Sequence, residues 1–344
     1  MDTNETRTSD AVQTKEKKGI YGSTLKLIAI FIMLIDHTAA TILDRTLISR
    51  GLNTLDRTNM TAIQEFMKQN GTIYYTDIAM RYIGRIAFPI FCFLLVEGFI
   101  HTRNKWNYTL RLAIFSLVSE IPFDLAFKGK FFDMSYQNVF FTLTIGMLVM
   151  TGFWFVKEKL ADKNWLMLPA IGGIIAVTAA VAYAVSGTVN SLNRIFAAYG
   201  TGGTISLNRT AYILIFGVIG LLAFLFYLLT IRKSTKKANV RFADLLILVA
   251  GMVLATLLKT DYSAFGILTI AVVYGLRRSP VKATLGACIT LTIMSLGEIT
   301  AFFALIPAAL YNGQRGLKLR YVFYIFYPAH LLILYLICYF MGIA

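Results

Sequence analysis

Ionisable residues stand inside apolar stretches at several places in this chain, and they suggest acid–base chemistry. Asp36 and His37 are adjacent in IFIMLIDHTAATIL, and Arg81 and Arg85 are four apart in MRYIGRIAFPIF. Glu120 and Asp124, also four apart, lie in SEIPFDLAF, and Gln137 and Asn138 open the next apolar run. Asp261 sits in the short turn KTDYSAFG, and the last apolar run carries Tyr324, Tyr327 and His330, with Pro328 expected to kink it. Residues four apart share one face of a helix. An ionised side chain at a bilayer centre costs about 2.5–3.5 kcal/mol, so each is a functional candidate by default. A histidine titrates near neutral pH and suits general-base work on an amine or hydroxyl.

Each residue also has a plainer reading. Arg85 paired with Glu120 or Asp124 would let two helices pack without a stranded charge. The aromatic face around His330 would serve as packing, Glu97 would meet basic residues at a membrane surface, and His101 would be solvated. Successive helix residues point about 100° apart, so Asp36 and His37 are not expected to face each other. Glu120 and Asp124 are then as plausible as Asp36 for orienting His37.

The elements that must position these groups are membrane helices. The chain has 344 residues, is 57% hydrophobic and only 15% charged, and has a mean hydropathy of +0.65. Soluble domains carry about 25% charged residues. Candidate spans are 25–44, 78–100, 107–127, 138–156, 165–186, 211–231, 242–259, 262–276, 281–311 and 320–341. The predicted fold class is an all-α polytopic transmembrane bundle of ten or eleven helices. The 281–311 region is too long for one crossing and short for two, and both flanks are basic. A broken pair of short helices turning near Gly297–Glu298 gives eleven crossings, and one long tilted helix gives ten. The 45–77 segment is expected to be an external loop, with TAIQEFMK as a short surface helix.

The net charge of +15 reflects short basic loops: HTRNK, KEKLADK, IRKSTKKANVR and RRSPVK. These alternate with loops poorer in Lys and Arg, so the basic set and the N-terminus are assigned to the cytoplasm. Nucleic-acid binding is not expected, because the basic residues fall between membrane spans. Residues 1–22 are polar and expected to be a disordered tail, lacking the pattern of a cleaved signal, with 23–344 a single membrane domain. Cys92, Cys288 and Cys338 lie in apolar runs with no CxxC spacing, which argues against a disulfide framework or a metal site.

The segments LKLIAIFIMLIDH, RYIGRIAFPIFCFLLVEGFIHTRN, LRLAIFSLVSEIPFDLAF, QNVFFTL, KTDYSAFGIL and YNGQRG…YVFYIFYPAHLLILYL resemble the TraX family. The resemblance runs from about Leu25 to the C-terminus. The family's namesake acetylates the N-terminus of conjugative F-type pilin. The family is similar to wider transmembrane acyltransferases, including sugar O-acetyltransferases and the lysosomal heparan glucosamine N-acetyltransferase, in which an early-helix histidine is implicated in acyl transfer. The resemblance therefore implies a membrane-bound acetyltransferase of the bacterial cytoplasmic membrane with acetyl-CoA as donor. His37 is the matching position and Arg85 its companion. Asp36, Glu120, Asp124 and His330 are further catalytic candidates, and Gln137, Asn138, Asp261 and Tyr327 are candidates for substrate binding. The phosphates of CoA would be met by Arg232, Lys233, Lys236, Lys237, Arg277, Arg278, Arg315 or Lys318. The acceptor would be a pilin-like peptide or a surface glycan, and membrane lipid is the surrounding partner. The rival reading of buried charges with a titrating histidine is a proton-coupled transporter or flippase. Paired halves would favour it, and none is visible.

Overall fold

The computed structural model describes residues 18–56, 58–161, 171–175, 235–318 and 320–343, with isolated positions between 218 and 229. The described residues form helices throughout, and five continuous helical stretches are long and apolar enough to cross a membrane. The chain is thus a polytopic membrane helix bundle. The expected spans 165–186 and 211–231 fall almost wholly outside the described residues.

The first rod runs Gly22–Ser49: α1 (Gly22–Thr38), a five-residue π-helical stretch (Ala39–Leu43) and α2 (Asp44–Ser49). Single π turns inside α-helices recur at functional sites, and this one begins two residues after His37. The Thr41 hydroxyl donates to the His37 carbonyl at 2.6 Å within it. The second rod is α3 (Met60–Gly84) followed by α4 (Ala87–His101). Asn59 starts α3 by accepting from the Thr61 and Ala62 N–H groups at 3.1 Å. The expected 45–77 loop is therefore corrected. TAIQEFMK is the first part of a helix that continues into the membrane span, and only the turn around 50–59 remains. The rod breaks at Arg85–Ile86 because Pro89 has no N–H for the Arg85 carbonyl and its ring crowds that position.

Next come α5 (Lys105–Lys128), α6 (Val139–Phe155), α7 (Thr235–Leu257) and α8 (Ser263–Gly275). After α9 (Pro280–Met294) the backbone turns extended at Ser295, and a 3-10 helix (Leu296–Ala304) and α10 (Leu305–Leu310) follow. The break falls where the short-pair reading of 281–311 put it. Tyr311 then bridges to Ile20, and the Ile20 N–H donates to the Leu310 carbonyl at 2.8 Å. Residues 18–22, expected in the tail, are thus clipped to the 310–317 loop. The closing helix is α11 (Arg320–Phe340).

The most buried helix is α4, with ten buried residues including Phe88, Phe93 and Phe99. It packs on α1, α6, α8, α9 and the 3-10 helix. Helix α5 lies between α6 and α11. The bundle has two ends: one where Ile20 meets Tyr311, and one where the Gln137 N–H donates to the Lys259 carbonyl at 3.0 Å.

Candidate active site

His37 lies about 22 Å along α1 from the Ile20 end, at about 1.5 Å per residue. Its Nδ1 is 2.7 Å from Nε2 of His330 on α11, and the two rings stack with centroids 5.0 Å apart. The other ring nitrogen of His330 lies 2.8 Å from the Phe326 carbonyl. A carbonyl only accepts, so His330 Nδ1 carries the proton. The Nε2 of neutral His330 then accepts from His37 Nδ1–H, which leaves a lone pair on His37 Nε2. Phe127 and Tyr327 complete the ring's surroundings, with centroids 5.4 and 6.0 Å away. His37 is half-buried and His330 is buried.

The carboxylates expected to orient His37 do other things. Asp36 turns away and pairs with Arg81 at 2.8 Å. Glu120 is buried against Asn138, whose side-chain amide donates to it at 2.5 Å. Asp124 accepts from the Asp133 N–H at 2.7 Å and lies 3.4 Å from Lys128 Nζ, closing the loop after α5. Neither holds the imidazole; His330 does. In that loop, hydrogen bonds from Ser135 and the nearby Lys128 ammonium hold the Asp133 carboxyl below the usual carboxylate range.

Arg85 likewise does not pair with Glu120 or Asp124. It stands at the α3–α4 break, 3.4 Å from Glu298 and against the Tyr262 phenol. Glu298 comes from the first turn of the 3-10 helix and was passed over in the sequence as a turn residue. The missed signal was a glutamate within an apolar run at the depth of Arg85. Asp261 accepts from the Tyr136 hydroxyl at 2.5 Å, and its carbonyl accepts from Thr142. Gln137 contributes backbone to this clip, with its carbonyl 3.0 Å from the Asp261 N–H. Lys259, Tyr262 and Ser263 have φ of 53°, 58° and 43°, a region non-glycine residues seldom occupy. Their turn is held by that clip and by the Tyr262 ring stacked 3.7 Å from Phe88.

A cavity of about 580 Å³ starts at the Ile20 end, beside Gly22, Arg315 and His101, and reaches Met33 and Tyr327. His37 is not among its lining residues, but Tyr327 is. Lys26, Arg111 and Arg315 line it, as does Glu97, which accepts from the Tyr311 hydroxyl at 3.1 Å. The Nε of Arg111 is buried without a hydrogen-bond partner. Of the basic residues expected to meet phosphates, Arg315 is in this wall. Lys318 lies exposed in the same loop, three residues on. Arg277 caps the end of α8 instead, 4.1 Å over the Tyr274 ring and bonded to its carbonyl. Arg278, Lys236 and Lys237 do not line the cavity, and Arg232 and Lys233 lie outside the described residues. Lys26 and Arg111 were missed because both sit inside apolar helices rather than in basic loops.

No solved structure matches the chain. Among curated proteins it is similar to a probable fimbrial assembly protein FimC, serogroup H1, of Dichelobacter nodosus, at 30% identity over 133 residues. That match spans 37% of this chain and 43% of the relative, less than half the length of either. A family model described as TraX protein matches residues 21–220 and 210–338. The matched stretches include α1 with His37, the Arg85 break, the Glu298 turn and α11 with His330, and the chain belongs to the TraX family.

Proposed function

We propose that this protein is a membrane acyltransferase that moves acetyl from acetyl-CoA to an amine or hydroxyl acceptor, with His37 as its general base. The observation that carries the reading is Tyr327. It lines the 580 Å³ cavity and also touches both imidazole rings. A donor arm filling the cavity would therefore end beside the histidine pair. The cavity suits CoA chemically. Three cations stand on its wall, and the buried Arg111 Nε is a donor without an acceptor. Phosphate oxygens would supply that acceptor. Lys26, Arg111 and Arg315 would hold the donor, which supplies an acyl group activated as a thioester.

The chain's own part is proton handling. The lone pair on His37 Nε2 takes the acceptor's proton as the new C–N or C–O bond forms and the C–S bond breaks. That proton then goes to the departing sulfur. His37 Nδ1–H stays donated to His330 throughout, so the ring keeps its orientation and His330 acts as a positioning residue. The positive charge formed on His37 is shared with a second imidazole and not with a carboxylate. With the basic loops in the cytoplasm of a bacterium, the cavity opens inward and the Asp261 end faces outward. The family's namesake acetylates pilin and the curated relative is named for fimbrial assembly, which makes a pilus or fimbrial subunit the favoured acceptor.

The test is transfer of labelled acetyl from acetyl-CoA by purified protein in nanodiscs. His37→Ala should lower turnover by about 10²–10⁴-fold, the usual range for a lost general base. His330→Phe, which keeps a stacking ring, should lose at least tenfold in kcat with little change in acetyl-CoA KM. Wild-type turnover in the folded His37→Ala protein would sink the assignment. Acetyl-CoA-independent substrate flux in liposomes would replace it with transport.

A further inference from the structure

Three elements meet at Tyr327. It sits on α11 one turn before His330, and its ring lies against the imidazoles of His37 and His330 at centroid distances of 6.0 and 5.7 Å. The Phe140 ring of α6 stands edge-on to it at 4.8 Å. Tyr327 is 3% exposed, yet it lines the 580 Å³ cavity together with Val139 and Phe140. The start of α6 is fixed beside it. Asn138 caps that helix by accepting from the Phe140 N–H at 2.9 Å, and its side-chain amide donates to the Ser116 carbonyl at 2.8 Å. The N–H groups of a first helical turn have no partner within the helix. That of Val139 donates to the Tyr327 hydroxyl oxygen instead. A hydroxyl that accepts in this way becomes a stronger donor. Tyr136 and Asp261 bond to each other, and Glu120 bonds to Asn138. These three reach the phenol through space, so the Tyr327 proton has the cavity to donate into.

Attack on a thioester carbonyl pushes an electron pair onto its oxygen, and a donor already fixed in a low-dielectric site stabilises that charge. We infer that Tyr327 is a further catalytic residue, whose O–H donates to the oxygen of the reacting carbonyl while His37 handles the acceptor's proton. The acceptor atom bonds to the carbonyl carbon and gives its proton to His37 Nε2. The C=O pair moves onto the oxygen, where the Tyr327 hydrogen bond holds it. The pair then returns, the C–S bond breaks, and His37 passes the proton to sulfur. Tyr327 keeps its own proton throughout. This inference rests on the acyl-transfer reading, since it names the group that stabilises charge in that reaction. A packing role would need only the ring, whereas this role needs the hydroxyl.

The test is single-turnover acetyl transfer from acetyl-CoA by the full chain in nanodiscs, with donor binding read by calorimetry. Tyr327→Phe keeps the ring contacts and removes the O–H. It should slow transfer by about 10²–10³-fold, the usual loss for one such donor, and leave the acetyl-CoA dissociation constant within about threefold. A second series replaces Tyr327 with mono- and difluorotyrosine, read at a pH where the phenols stay protonated. The rate should rise with the acidity of the phenol, a response that ring packing does not produce. This series also decides the matter if the Phe variant does not fold. A folded Tyr327→Phe protein with the wild-type rate overturns the assignment, and so does a flat or inverted fluorotyrosine series. Either result requires an active wild type and so leaves the acyltransferase reading standing. Absence of any transfer by the wild type would defeat that reading, and this assignment with it.

Discussion

At the residue scale, the centre of the molecule is an imidazole pair in which each nitrogen's role follows from one backbone carbonyl. Phe326 fixes the proton on His330, His330 fixes it on His37, and His37 Nε2 keeps its lone pair. The sequence located both histidines but not their pairing, because 293 residues separate them and no local pattern links α1 to α11. It also placed Asp36 off the His37 face from helix geometry alone, and the Asp36–Arg81 pair has that arrangement. Pairing Arg85 with Glu120 failed for a physical reason. Opposite charges on consecutive helices pair only if the faces meet, and α5 turns its Glu120 toward Asn138 on α6. At this scale Arg111→Ala and Arg315→Ala should each raise the acetyl-CoA KM by roughly 10–100-fold, as expected for losing a charge-assisted bond of about 1.5–3 kcal/mol. kcat should change little. Steady-state kinetics at varied acetyl-CoA check this, and an unchanged KM in both would remove the donor from this cavity.

At the scale of elements, the breaks in the helices matter more than their lengths. Pro89 opens the rod at Arg85, Ser295 turns the chain so that Glu298 meets it, and a π stretch follows His37. Among the described residues, apolar runs matched most helix ends within a few residues because hydropathy reports burial in lipid. They said little about α3 beyond the membrane, where helix formation depends on the Asn59 cap and on α1 packed alongside. Gly84, just before the break, permits the closest approach. A Cβ there would lie 2.3 Å from Asp36 Oδ1. Gly84→Ala should therefore displace Asp36 from Arg81, lower the melting temperature by several degrees and reduce acetyl transfer at least tenfold. Thermal unfolding in detergent together with a turnover assay would show it. A variant with wild-type values of both would mean that α1 and α3 slide apart at no cost.

At the scale of the whole molecule, the bundle separates two chemistries along its long axis. Basic groups line the cavity from the Ile20 end, and carboxylates gather toward the Asp261 end. The three native cysteines are buried, so an introduced one reports sidedness cleanly. Thr54→Cys should react with a membrane-impermeant maleimide on intact cells, and Lys157→Cys only after lysis. The reverse labelling would turn the proposed orientation over and put the donor cavity on the wrong side for acetyl-CoA.

The cavity's inner end carries a consequence for the cell. Met33 and Tyr327 line it, and Tyr327 is the ring it shares with the imidazole pair. Under the acyl transfer proposed above, a fragment of two carbons would pass that ring while the bulky carrier stays behind. A cell so equipped would decorate what lies outside with metabolic currency kept inside.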